Sequence, residues 1–142
     1  MTVADDGTEQ SAEREAIRDL LSAYALCLDS DDVDGCLELF SDDGEFAVYG
    51  KTLVGRERIG RMFTRAPNGL HLIGASRIEV RGLTATVRSQ VLFVEAATHE
   101  LRPALYDDEL ITVDGRWRFR RRRCQFLTAG GLSDVPQETQ TT

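Results

Sequence analysis

Between residues 11 and 28 the apolar positions Ile17, Leu20, Leu21, Tyr24 and Leu28 form a set. Steps of three and four put them on one side of a helix. Ser11 can cap its start, and Glu13 and Glu15 suit its positive end. A polar turn follows at Asp29-Ser30-Asp31-Asp32, then a short helical pattern through Val33, Cys36, Leu37 and Phe40. Ser41-Asp42-Asp43-Gly44 reads as its stop. Residues 45–49 alternate as a strand, 50–55 turn the chain, and a third helix opens near Gly55 with Ile59, Met62 and Phe63 inward. Ala66-Pro67-Asn68-Gly69 ends it.

The pattern then changes to period two. Strands are expected over 70–80, 85–96, 104–113 and 117–127, separated by Arg81-Gly82, the segment around His99, and Asp114-Gly115. Asp-Gly between alternating runs is a strong hairpin signal. Helices first and strands afterwards predict an α+β fold: a curved antiparallel or mixed sheet wrapped around N-terminal helices as a cone, open at one end for a ligand. One domain over 11–132 accounts for the pattern. The polar segments 1–10 and 133–142 read as disordered tails.

Composition narrows the partners. The net charge is −7 and the pI about 4.8, which disfavours nucleic acid and anionic membrane. No apolar run reaches the roughly 18 residues of a membrane span, so a cytoplasmic protein is expected. Six arginines lie between Arg116 and Arg123, but they alternate with Trp117 and Phe119 as a solvated strand face would. Arg122 is the one that could turn inward towards an anionic substrate group. Cys27, Cys36 and Cys124 are odd in number and not in metal-site spacing, so buried free thiols are expected. His71 and His99 are too few for a metal site, and no cofactor motif is present, so no cofactor is expected.

The candidate chemistry centres on His71, on a strand face shared with Ile73 and Ala75, and on Asp29 at the end of the first helical stripe. Each alone is readily structural. Together, a carboxylate that fixes the imidazole tautomer makes a general base. Tyr24 and Tyr49 could donate hydroxyls to a substrate oxygen. Glu95 shares a face with Ser89, Val91 and Phe93 and could add an acid. The remaining expected pocket residues are Leu28, Phe46, Met62, Phe63 and Tyr106.

Several stretches together resemble the SnoaL-like family of the nuclear transport factor two superfamily over about residues 12–127. They are Ala16-Ile17-Arg18-Asp19-Leu20-Leu21, Leu39-Phe40-Ser41-Asp42-Asp43-Gly44-Glu45-Phe46, Gly55-Arg56-Glu57-Arg58-Ile59 and Asp114-Gly115-Arg116-Trp117-Arg118-Phe119. Leu28-Asp29 and His71-Leu72-Ile73-Gly74-Ala75-Ser76 resemble the segments that carry the catalytic pair in the scytalone dehydratase and hexachlorocyclohexane dehydrochlorinase families. The resemblance implies His71 as base, Asp29 as its orienting partner, and cofactor-free elimination of dehydratase, isomerase or cyclase type on an apolar cyclic ketone. Leu28 stands where scytalone dehydratase has a tyrosine, and Glu95 near its second histidine. The resemblance also implies a homo-oligomer, dimer or trimer. The alternative is a non-catalytic module of the same fold that binds a small molecule or holds an assembly together.

Overall fold

The computed structural model describes residues 6–138. Helix α1 spans Asp6–Asp29, α2 Val33–Leu37 and α3 Arg56–Arg65. The strands are β1 Phe40–Val48, β2 Lys51–Val54, β3 Gly69–Arg81, β4 Thr84–Glu95, β5 Leu101–Val113, β6 Arg116–Thr128 and β7 Gly131–Ser133. They form one open, curved seven-stranded sheet in the order β2-β1-β6-β5-β4-β3, with β7 on the end of β6. All pairings are antiparallel except β1 with β6, so the sheet is mixed.

The elements form for the expected reasons. Helix α1 buries Ile17, Leu20, Leu21 and Tyr24, the predicted stripe. Asp32 caps α2 by accepting the Gly35 N–H at 2.9 Å. Along β4 the residues Ala85, Val87, Ser89 and Val91 are buried while Thr84, Thr86, Arg88 and Gln90 are exposed. Asp114 and Gly115 both have positive φ, as a tight hairpin turn requires.

Four local expectations change. Helix α1 begins at Asp6 and not at Ser11, so Ser11 lies inside it; residues 1–5 and 139–142 of the expected tails lie outside the described residues. Phe40 and Ser41-Asp42-Asp43-Gly44 belong to β1 and not to the end of α2. There β1 takes an irregular register against β6, between the pairs Phe40–Phe119 and Glu45–Arg121. Residues 51–54 are a strand, reached through Tyr49 and Gly50, both with positive φ. Residues 131–133 form β7, and Asp134 pairs with Arg123 at 3.3 Å.

Two bulges decide what faces the inside of the cone. On β3 the register shifts between Ile73 and Ser76, so Ser76, Ile78 and Val80 turn inward. Ala75 is exposed and does not share the face of His71 and Ile73. On β6, Glu109 pairs with Arg121 but Leu110 pairs with Phe119, leaving Arg120 as the extra residue. Beyond it Arg122, Cys124 and Phe126 are the inward positions. Among the described residues no helix is long and apolar enough to cross a membrane.

Candidate active site

The inner face of the sheet is layered in cross-strand rows. The deepest one relevant here runs Ile78, Val87, Asp108, Arg122, Phe46. Above it come Ser76, Ser89, Tyr106, Cys124, then Ile73, Val91, Ala104, Phe126, and at the open end His71, Phe93, Arg102. A cavity of about 610 Å³ takes its sheet wall from the upper three rows and from Phe46 at the edge of the deepest. Helices α1 and α3 and the β1–β2 hairpin close the other sides through Tyr24, Leu28, Met62, Phe63 and Tyr49. Its inner walls are largely aliphatic and aromatic, with the charged side chains gathered at the opening, as a site for an apolar molecule requires.

Helix α1 packs directly along β3, and that contact brings its last residue to the histidine. His71 Nδ1 lies 2.7 Å from Asp29 Oδ1, and the His71 backbone N–H donates to both Asp29 oxygens at 3.1 and 3.0 Å. A carboxylate only accepts, so Nδ1 carries the proton and Nε2 is left with its lone pair. The imidazole packs on Phe93 with ring centroids 4.8 Å apart. His71 and Asp29 side chains are 18% and 17% exposed, and His71 itself lines the cavity. Burial pushes the His71 pKa below its ordinary value; Asp29 pulls it up in part, and the positive charge of Arg122 lowers it again. The ring is therefore a neutral base near pH 7.

The other expected site residues divide clearly. Tyr24, Leu28, Phe46, Tyr49, Met62 and Phe63 line the cavity. So do Val91, Phe93 and Tyr106. Tyr24 and Tyr106 are buried, meet edge to face at 5.8 Å, and form the floor. Burial pushes both phenols above the ordinary tyrosine range, so both keep their protons and can donate. Tyr49 is at the rim, stacked on Phe126 at 5.5 Å.

Two expectations are corrected. Glu95 does not line the cavity; it ends β4 beyond the rim, where its carboxylate accepts the Thr98 hydroxyl at 3.2 Å. Arg122 does turn inward but lies one layer beneath the floor, wholly buried, and also does not line the cavity. Its guanidinium is 4.1 Å from the Tyr24 ring centroid, 3.7 Å from Tyr106 and 4.5 Å from Phe119, and its Nε is 3.0 Å from Asp108 Oδ1. It is a core ion pair held between aromatic faces. Of the cysteines, Cys36 and Cys124 are buried but Cys27 is half-buried; all three are free thiols.

Sequence reasoning missed the cavity's basic rim: Lys51, Arg58, Arg61, Arg65 and Arg102. The helical spacing of the three α3 arginines was a usable signal. Arg102 was hidden because β5 begins at Leu101, not at residue 104.

An open curved sheet holding three helices and an apolar cavity, with a histidine and a carboxylate on its wall, defines an α+β cone of the nuclear transport factor two type. Residues 9–123 match the SnoaL-like domain model, and the chain belongs to that family. It is similar to a Mycobacterium tuberculosis protein of unknown function, at 29% identity over 88% of this chain and 78% of that one, TM-score 0.81. It is also similar to a candidate scytalone dehydratase from Novosphingobium aromaticivorans, at 25% identity over 89% of each chain, TM-score 0.76. A hexachlorocyclohexane dehydrochlorinase from Novosphingobium barchaimii shares the fold, at 22% identity over 93% of this chain and 94% of that one, TM-score 0.75. The sequence matches no curated protein.

Proposed function

We propose that this protein is a cofactor-free acid–base enzyme of dehydratase, isomerase or cyclase type, acting on a small apolar cyclic ketone or polyketide-like molecule. The observation that carries this reading is the 2.7 Å contact between Asp29 and a histidine that lines an apolar cavity. His71 Nε2 takes a proton from a carbon next to a carbonyl, and Asp29 stabilises the imidazolium that forms. The C–H electron pair becomes the new double bond as the leaving group departs with its own pair. For a leaving hydroxyl, His71 returns the proton and water is released. Tyr24 or Tyr106 on the floor supplies the hydroxyl that stabilises the developing enolate oxygen, the role Leu28 cannot fill.

The test needs no knowledge of the natural substrate. Deuterium exchange next to the carbonyl of 1-tetralone in D₂O, followed by NMR, reads proton abstraction directly. His71→Ala is expected to lower the catalysed rate by about 10²–10⁴-fold. Asp29→Asn is expected to fall between that variant and wild type. Equal rates in wild type and His71→Ala would end the enzymatic reading.

The same reading includes a homo-oligomer, dimer or trimer. Leu70, Leu72 and Leu101 are exposed on the outer face of β3 and β5, where a second copy could cover them. Light scattering at micromolar concentration is expected to give a multiple of 15.8 kDa; a clean monomer rejects it.

A further inference from the structure

The rim of the cavity reverses the charge of the molecule. The chain has 24 acidic and 17 basic residues. The cavity is lined by five basic side chains, Lys51, Arg58, Arg61, Arg65 and Arg102, against one rim carboxylate, Asp31. Arg61 makes a loose contact with Glu57 at 3.7 Å, and the other four have no ion pair among the described residues. Solvated arginines are ordinary on an outer surface. Here they come from three separate elements and converge on one apolar opening.

Their placement follows from the fold. Arg58, Arg61 and Arg65 lie three and four residues apart, so they form one edge of α3, the edge beside Met62. Lys51 opens β2 just after the turn at Tyr49 and Gly50. Arg102 lies in the cross-strand row His71–Phe93–Arg102. Its backbone is therefore two strand spacings, about 10 Å, from that of the candidate base. A low-dielectric hollow with cations at its opening concentrates an anion there.

We propose that the rim binds an anionic substituent, a carboxylate or a phosphate ester, on an otherwise apolar ligand whose body fills the cavity. Arg102 and the α3 arginines hold the anion at the mouth and so set the distance between it and the carbon presented to His71. This assigns to the rim the anion recognition that Arg122, sealed with Asp108 beneath the floor, cannot perform. It rests on the acid–base reading only for what happens at that carbon; the binding claim stands on the rim and the cavity.

The experiment is competition for the neutral fluorescent probe N-phenyl-1-naphthylamine by 2-naphthol, 2-naphthoate and 2-naphthyl phosphate. In wild type the two anions are expected to displace the probe at about tenfold lower concentration than 2-naphthol, equivalent to about 1.4 kcal/mol. The advantage should shrink in 0.5 M salt and vanish in Arg58→Gln/Arg65→Gln/Arg102→Gln, with 2-naphthol unchanged and circular dichroism unaltered. A greater gain for the phosphate assigns a phosphorylated head, and an equal or greater gain for the carboxylate assigns an acid. Equal displacement by 2-naphthol and the anions, or an advantage that survives the triple variant, overturns the proposal. Absence of the anion preference in wild type, with His71-dependent tetralone exchange present, sinks this proposal alone. A retained preference without such exchange sinks the enzymatic reading and leaves this one.

Discussion

Two acid–base pairs face the inside of this cone, and they are built in opposite ways. Asp29–His71 is at the cavity wall, about one-fifth exposed, with both carboxylate oxygens hydrogen-bonded to His71. Asp108–Arg122 is three rows deeper, with both side chains at 0% exposure. There the charges are 3.0 Å apart, yet no guanidinium N–H is aligned with an acceptor among the described residues, and aromatic rings take the remaining faces. The upper pair can take up and release a proton at the imidazole without losing its hydrogen-bonded geometry. In the lower pair the arginine is never neutral in practice, so no proton passes between the partners. One pair is suited to moving a proton, the other to fixing a charge.

Breaking the lower pair should have the largest effect. Arg122→Met leaves the Asp108 carboxyl buried beside apolar rings. Burial already pushes that carboxyl up to about 7 with Arg122 present. The variant is expected to lose about 3–5 kcal/mol in urea unfolding at pH 8. The loss should be smaller at pH 6, where the orphaned carboxyl takes up a proton. Asp108→Leu/Arg122→Met removes both charges and should recover most of that loss. By contrast His71→Ala, at the wall of an open cavity, should cost only about 1 kcal/mol. If Arg122→Met proves as mild as His71→Ala, the deep pair is not the structural one.

The sequence made the upper pair legible and the lower one only in part: Arg122 could be named as the arginine to turn inward, but neither its depth nor its partner Asp108 could. Asp29 could be placed by the helical stripe that ends at Leu28, and His71 by simple alternation with Ile73, because no irregularity intervenes. Arg122 comes two residues after the extra residue Arg120. Alternation counted from Trp117 and Phe119 would send Arg121 and Arg123 inward and Arg122 out to solvent. One inserted residue exchanges the two faces, so plain alternation does not single out Arg122 as an inward position. The same effect on β3 separated Ala75 from the face of His71. Ser41-Asp42-Asp43-Gly44 has the composition of a stop signal but runs as irregular strand, because β6 supplies a parallel partner that only the tertiary fold reveals. The helix-then-meander order and the Asp114-Gly115 hairpin depend on short-range rules, and they were readable.

A smaller effect should separate the pairs by pH. Burial lowers the folded pKa of His71 below the unfolded value of about 6.5. The folded state then binds fewer protons than the unfolded one in that window. Stability from this group is complete above about 6.5 and is lost as pH falls through the folded midpoint. Each pH unit separating the folded and unfolded midpoints corresponds to about 1.4 kcal/mol. Tetralone exchange should rise with pH through that same folded midpoint and then level off. Asp29→Asn removes a partner that raises the pKa, so its midpoint should move lower still. Proton NMR of the imidazole in a His99→Gln background, which leaves one histidine signal, measures both. A midpoint above 6.5 in wild type would mean that Asp29 outweighs burial, and the base would be charged at rest.

The smallest expected effect tests whether the two pairs communicate at all. Arg122 lowers the His71 pKa from beneath the Tyr24–Tyr106 floor. Asp108→Leu/Arg122→Met takes that positive charge away while leaving no buried carboxylate behind. The His71 midpoint should therefore rise. An unchanged midpoint would make the pairs electrically independent, with Arg122 serving the core alone. A rise would mean that the buried arginine, though it never meets the ligand, helps keep the base unprotonated at neutral pH.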